Sequence, residues 1–135
     1  EEVVASFTVK RPDAALWELG FEQQACLFEH ICQQSGNPPP VVDAADILKN
    51  PTGMLCALCA RLGTPFSERM LHWPAGSRNS DGVWAKYWYQ AVEHSTGFEP
   101  YKPREIKLTE FQSRLAEQCQ PFYTRLSSHR LTAAA

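Results

Sequence analysis

Two cysteines one helical turn apart, Cys56 and Cys59, are the residues whose spacing most directly suggests chemistry. Such a pair can belong to a metal site or a redox centre. However, the sequence has no second pair at the spacing of zinc ligands, and a redox pair needs its first thiol at a helix N-terminus. Here the pair stands in the middle of an apolar helical pattern. We therefore predict that both side chains simply pack in a core.

Histidines and one aspartate are the next candidates. The four histidines are spread along the chain without any H-E-x-x-H pattern, so we predict no metal site. Asp43 directly follows Val41 and Val42, which form a very short apolar pair. A catalytic carboxylate at the end of a strand would fit this position, and so would a helix N-cap. We favour the cap.

Residues 73–98, WPAGSRNSDGVWAKYWYQAVEHSTGF, contain three of the four tryptophans. The first half is rich in turn-forming residues and carries one cation, Arg78. The second half is apolar at helical spacing, with Asp81 as a predicted N-cap and Gly97 as the predicted end. Backbone N–H groups at such a helix start can bind an anion. The tryptophans Trp84 and Trp88 are predicted to be buried, so that truncating one would cost about 3–5 kcal/mol.

Helical patterns account for most of the remaining chain. Residues 1–9 fit either a helix or a short strand, and Asp13 is a predicted N-cap for the segment that follows it. Asn50-Pro51 is a strong helix start, Thr109-x-x-Gln112 reads as a capping box, and Pro121 should kink or split the last helix. We predict one domain, mainly α with one short strand at Val41-Val42. Its parts are 1–98, a linker over 99–107 and a C-terminal helix over 108–130.

Composition excludes several classes of function. A net charge of −2 gives no overall attraction to nucleic acid or to an anionic membrane. No apolar run is long enough to span a bilayer. An odd number of cysteines, five, in largely apolar surroundings favours reduced thiols and a cytoplasmic location. The first residue is not Met, so we expect these residues to be part of a longer, processed or trimmed protein.

The segments VVDAADILKNPTGMLCALCARLGTPFSERMLHWPAG and DGVWAKYWYQAVEHSTGF, together with the earlier LWELGFEQQACLFEHI, resemble the C-terminal half of bacterial sulfotransferase-like proteins of the P-loop fold. The resemblance implies an α/β fold of which this chain is the C-terminal part. It also implies 3′-phosphoadenosine-5′-phosphosulfate as the sulfuryl donor. Its two candidate contacts to the nucleotide 3′-phosphate are Ser6, at the end of EEVVAS, and Arg78, in the loop SRNSDGVW.

Other parts of the family pattern are missing from these residues. No glycine-rich phosphosulfate loop of the form G-x-x-x-x-G-K-[ST] occurs, and no catalytic residue can be assigned. We therefore expect a truncated sulfotransferase-like protein without catalytic activity of its own. The alternative is a helical interaction module, for example one encoded on a mobile element, whose apolar flank is covered by self-association or by a missing N-terminal half.

Overall fold

The computed structural model describes residues 1–103 and 105–133. It is mainly helical and contains no sheet within these residues, which confirms the predicted class. The described residues group into two compact units, one formed by 1–42 with 103–130 and the other by 43–102 with the residues from 131 onward. Arg104, within the predicted linker 99–107, lies outside the described residues. The helices are α1 Glu2–Lys10, α2 Phe21–Ser35, α3 Ala44–Lys49, α4 Pro51–Leu62, α5 Ala85–Trp88, α6 Gln90–His94 and α7 Glu110–Ser127, with 3₁₀ helices at Leu16–Leu19 and Glu68–Met70.

The first unit is a helical cluster in which α7 packs against both α1 and α2. Its innermost side chains are apolar and come from α1, the first 3₁₀ helix and α7. Removing this apolar surface from water is what brings helices distant in sequence together. The buried members are Val4, Leu19, Leu115 and Cys119, with Phe7, Leu16, Phe21 and Ala116 packed around them.

Local signals set most helix ends in this unit. The capping box predicted at Thr109 and Gln112 is present, with each side chain accepting a hydrogen bond from the backbone N–H of the other. The open alternative for residues 1–9 is resolved as a helix. Of the two outcomes predicted for Pro121, a kink or a split, the split does not occur, because α7 continues through this residue to Ser127. The proline removes one backbone hydrogen bond, but buried Leu115 and Cys119 still anchor the helix.

The N-cap predicted at Asp13 is also wrong. The 3₁₀ helix begins at Leu16 and its N-cap is Ala15, whose backbone N–H donates to the Glu18 carboxylate at 2.9 Å. Arg11 holds the same carboxylate through a 2.7 Å ion pair. The side chain of Glu18 is long enough to reach back to the start of the 3₁₀ helix. The Asp13 carboxylate instead lies 3.9 Å from the Arg11 guanidinium.

The second unit contains α3 and α4, which pack against each other, and then the aromatic segment. Asp43 accepts the N–H of Ala45 at 2.8 Å and therefore caps α3 as predicted. Asn50 caps α4 by accepting the N–H of Gly53 at 3.0 Å, and Pro51 follows at the first helical position. Gly63 ends α4 with a φ of 67°, a conformation that favours glycine.

β-structure in the described residues is limited to single bridges. The predicted strand at Val41-Val42 is present only as one residue, Val41, paired in parallel with Arg130. Among the described residues no strand flanks this bridge, so it does not extend into a sheet. In the second unit, an antiparallel bridge joins His72 to Gly97 and closes the base of the aromatic segment.

Candidate functional site

The loop that carries Arg78 is folded into a tight turn by Asp81. The Asp81 carboxylate accepts the backbone N–H of Arg78 at 2.7 Å, and the Asp81 N–H donates to the Arg78 carbonyl at 3.0 Å. The predicted role of Asp81 as a helix N-cap is therefore wrong, because its side chain points back to the turn. An aspartate can close a turn in this way as readily as it can cap a helix. The Arg78 side chain itself is exposed.

The helix predicted after this loop is shorter than the pattern suggests. It is broken at Tyr89 into α5 and α6, of four and five residues. Trp84 precedes α5 without a side-chain cap, and the second piece ends at His94, before the predicted stop at Gly97. So short a helix has little dipole at its start, so the predicted anion site at this helix start has weak support from the backbone.

The aromatic side chains on these two helices are largely exposed. Trp84 is 67% exposed and Trp88 is 41% exposed, so the prediction that both are buried is wrong. A 3.6-residue pattern identifies which residues share a face, but burial requires another element to cover that face. Within residues 1–103 and 105–133, the Trp84 ring stays mostly exposed, and it lies 6.3 Å from the Tyr87 ring between centroids.

Trp73 is the tryptophan that fixes the segment. Its indole N–H donates to the Ser95 hydroxyl at 2.9 Å, and its ring meets the ring of Phe98 edge to face at 5.2 Å. The Trp73 backbone N–H also donates to the Thr96 carbonyl at 3.1 Å. These contacts join the two ends of residues 73–98. The sequence pattern did not single out this pairing, because its partners lie more than twenty residues apart.

Ser6 lies on the exposed side of α1 in the first unit, whereas Arg78 belongs to the second unit. Ser6 lies two residues from each of the buried α1 residues, Val4 and Thr8, and therefore on the opposite face of the helix. Its assignment to the nucleotide, like that of Arg78, stays a prediction. Cys56 and Cys59 lie in the middle of α4. Cys59 is buried as predicted, but Cys56 is exposed, so the prediction that both side chains pack in a core is wrong for Cys56.

A protein-family model described as a sulfotransferase domain matches residues 1–130 of the chain. The chain belongs to the sulfotransferase domain family. This confirms the sulfotransferase-like assignment, while its predicted bacterial origin and its place in the C-terminal half stay predictions.

Two proteins from Arabidopsis thaliana are similar to this sulfotransferase-family chain. Branched-chain-amino-acid aminotransferase-like protein 1 is 39% identical and branched-chain-amino-acid aminotransferase-like protein 2 is 36% identical, each over 94% of the chain. The chain spans only 22% of the length of each relative. No solved structure matches it significantly.

The described part of this sulfotransferase-family chain holds no candidate metal cluster and no membrane-spanning helix. Within the described residues, no group of three or more histidine, cysteine, aspartate or glutamate side chains is arranged to bind a metal ion. The Cys59 sulfur instead lies 3.8 Å from the Met70 sulfur, a packing contact. In the same part of the chain, every helix is too short or too polar to cross a bilayer.

Proposed function

We propose that these residues form the C-terminal part of a P-loop sulfotransferase domain and contribute to binding the nucleotide end of 3′-phosphoadenosine-5′-phosphosulfate. The observation that carries this proposal is the family match over residues 1–130. Because the chain spans about a fifth of its curated relatives, the activity of any longer protein that contains it belongs to the same proposal.

The chemistry of the two candidate residues suits a phosphate monoester. A hydroxyl and a guanidinium both donate hydrogen bonds to phosphate oxygens, and the guanidinium also supplies charge. Within the described residues, neither the Ser6 hydroxyl nor the Arg78 guanidinium has a hydrogen bond or ion pair, so both can serve a ligand. The backbone N–H of Arg78 is already bound to Asp81. The guanidinium is therefore the donor through which this loop would contact the 3′-phosphate.

The other end of the donor molecule has no matching residues in this sequence. Sulfuryl transfer requires cations and N–H donors placed around the moving group. The seven glycines are scattered singly, and the phosphosulfate-loop pattern does not occur. We infer that the 135 residues bind the nucleotide without transferring its sulfuryl group.

Calorimetric titration with adenosine 3′,5′-bisphosphate tests the proposal. We expect a micromolar Kd, weakened about tenfold or more by Arg78→Ala because a charge-assisted hydrogen bond is lost. Ser6→Ala should weaken binding by a smaller factor. Arg69→Ala, which removes another exposed arginine of the same unit, is the matched control and should leave the Kd unchanged. Binding that is absent, or equally affected by the control, would argue against the assignment.

Self-association is a second candidate function, and the exposed aromatic face favours it. Val83 is 80% exposed beside the exposed Trp84, and Tyr87, Trp88 and Val92 continue the surface. Contiguous apolar surface of this kind commonly marks an interaction site. We propose that a second copy of the chain covers it, with a missing N-terminal half of the domain as the competing partner.

Sedimentation velocity over a hundredfold range of concentration distinguishes these outcomes. A dimer that is lost in the Trp84→Ser variant would support self-association through this face. A monomer at every concentration would contradict it and leave the N-terminal half as the partner. Trp17→Ser, at another exposed tryptophan in the first unit, is the control and should not change the oligomeric state.

We also propose that the protein resides in the cytoplasm. All five cysteines are described, and all are free thiols rather than members of disulfides. Free thiols persist in a reducing compartment. Secretion into an oxidising medium with five intact thiols would contradict the proposal.

A further inference from the structure

A cavity of about 370 Å³ lies in the second unit beside the start of α4. This volume falls within the range of natural small-molecule pockets. Neither Ser6 nor Arg78 lines the cavity, so the proposed nucleotide contacts do not account for it. Its lining residues come from the start of α4 and from two later stretches, and are Pro51, Thr52, Leu71, His72, Thr96, Gly97, Phe98 and Glu99.

Backbone hydrogen bonds fix two walls of the cavity against each other. His72 and Gly97 form the antiparallel bridge, and the Trp73 N–H donates to the Thr96 carbonyl at 3.1 Å. The approach at Gly97 is close: a Cβ added there would lie 3.1 Å from the Leu71 carbonyl oxygen and 3.4 Å from Nδ1 of His72. The cavity walls are therefore set by backbone pairing and a glycine contact.

Four polar side chains line this cavity: Thr52, His72, Thr96 and Glu99. Among the described residues, none of these four side chains has a hydrogen bond or ion pair to the protein. Two hydroxyls, an imidazole and a carboxylate together offer both donors and acceptors. Their hydrogen-bonding capacity is therefore free for a ligand.

The charge of the lining selects among ligand classes. Glu99 contributes a carboxylate, and among the residues that the structure describes no lysine or arginine lines the cavity, so an anionic ligand is disfavoured. A single exposed carboxylate also holds an ammonium group only weakly. Thr52, His72 and Thr96 are best matched by hydroxyl groups. The Phe98 ring and the Leu71 side chain supply an apolar wall for the carbon skeleton of the same molecule.

We propose that this cavity binds a small, neutral, hydroxyl-bearing molecule of about monosaccharide size. Its hydroxyls exchange hydrogen bonds with Thr52, Thr96 and Glu99, and its C–H face packs on Phe98. Because the groups in the wall are exposed and compete with water, the affinity is modest, with a Kd in the millimolar range. This site is independent of the nucleotide proposal.

NMR titration of the ¹⁵N-labelled 135-residue chain tests the ligand class with three probes that have the same sugar ring and differ in charge. Glucose is neutral, glucosamine is cationic and glucose 6-phosphate is anionic. We expect glucose to shift the amide signals of Thr52, Thr96 and Gly97 in a saturable way. Glucose 6-phosphate should bind about twofold to fivefold more weakly because the exposed Glu99 carboxylate repels it, and Glu99→Gln should reduce that difference.

Matched valine variants test the contacts. Thr96→Val keeps the shape of the side chain and removes its hydroxyl, so it should weaken glucose binding about threefold to tenfold. Thr132→Val removes an exposed hydroxyl that does not line the cavity and should leave the Kd unchanged. Circular dichroism of both variants establishes that they are folded.

Three outcomes would overturn the proposal. The first is the absence of saturable shifts with glucose up to high millimolar concentration. The second is tenfold tighter binding of glucosamine, which would make the cavity a cation site. The third is equal weakening by Thr96→Val and Thr132→Val, which would place binding elsewhere.

Discussion

The Gln112 side-chain N–H group donates to the hydroxyl of Thr8, 104 residues earlier in the sequence, at 2.7 Å and so links α7 to α1. The side-chain carbonyl oxygen of Gln112 belongs to the capping box of α7 and accepts the backbone N–H of Thr109 at 2.8 Å. The Thr8 hydroxyl, in turn, donates to the Val4 carbonyl at 2.8 Å. One glutamine thus starts α7 and attaches it to α1 beside the buried core.

Replacing Thr8 tests this link. Thr8 is buried, and Thr8→Val leaves the Gln112 amide without its acceptor while keeping the side-chain shape. We expect the free energy of unfolding in urea to fall by about 1–2 kcal/mol. Thr124→Val, on the exposed part of α7, is the control and should change it by less than about 0.5 kcal/mol. Equal values for the two variants would mean that the link contributes nothing.

A pair of glycines in the second unit tests the cavity wall. A Cβ at Gly97 would lie 3.1 Å from the Leu71 carbonyl oxygen, whereas one at Gly82 would meet nothing within 4 Å. We expect Gly97→Ala to lower the free energy of unfolding by about 1–3 kcal/mol, since the backbone must shift. Gly82→Ala should be neutral or slightly stabilising. The contact would be unimportant if urea unfolding gave the two variants the same stability.

The exposed Trp84 and the buried Met54 provide a contrast in side-chain burial. Trp84→Ser should change the free energy of unfolding by less than about 1 kcal/mol, because its ring stays largely in water. Met54→Ala should cost about 2–5 kcal/mol because it creates a cavity in the core. Chemical unfolding at low protein concentration, where self-association is negligible, measures both values. A large loss for Trp84→Ser would show that the ring is buried after all.

Local sequence signals predicted much of the helical architecture. The caps at Asp43, Asn50 and Thr109 and the stop at Gly63 depend on residues within three or four positions of each other, and all are present. The errors concern features set by distant parts of the chain. A strand at Val41 requires neighbouring strands, and burial of Trp84 requires an element that covers it; neither is present among the described residues.

The candidate site was less predictable than the fold. A family resemblance supplied Ser6 and Arg78, and no local pattern links a serine in α1 to an arginine in a loop of another unit. The cavity beside α4 was missed for a similar reason. Its walls come from residues 51–52, 71–72 and 96–99. The Trp73–Phe98 contact, the Trp73–Thr96 hydrogen bond and the His72–Gly97 bridge join the last two stretches, which are distant in the sequence.

Thiol reactivity tests the burial of Cys119. Burial raises the pKa of the Cys119 thiol, and the positive N-terminal amino group opposes this rise to a smaller extent. Less thiolate is therefore present at mildly alkaline pH, and alkylation of Cys119 should be far slower than that of the exposed Cys26 and Cys56. Peptide mapping by mass spectrometry after timed alkylation measures the three rates. Equal rates would contradict the burial.

The raised pKa of the Cys119 thiol also predicts how the free energy of unfolding changes with pH. Because folding raises its pKa, Cys119 favours the folded state below the ordinary thiol pKa, and this contribution is lost as the pH rises through the raised value. Cys119→Ala should remove that alkaline loss, even if it lowers stability at neutral pH. Urea unfolding at neutral and alkaline pH gives the comparison, and an unchanged pH dependence in the variant would contradict it.

We propose that this chain carries the 3′-phosphate end of a sulfotransferase nucleotide site and lacks the phosphosulfate end. Parallel calorimetric titrations with adenosine 3′,5′-bisphosphate and adenosine 5′-phosphosulfate test it most directly, because only the first ligand has a 3′-phosphate. We predict micromolar binding of the bisphosphate and at least tenfold weaker binding of the phosphosulfate. Equal affinity for the two ligands, or tighter binding of the phosphosulfate, would contradict the assignment of a 3′-phosphate site.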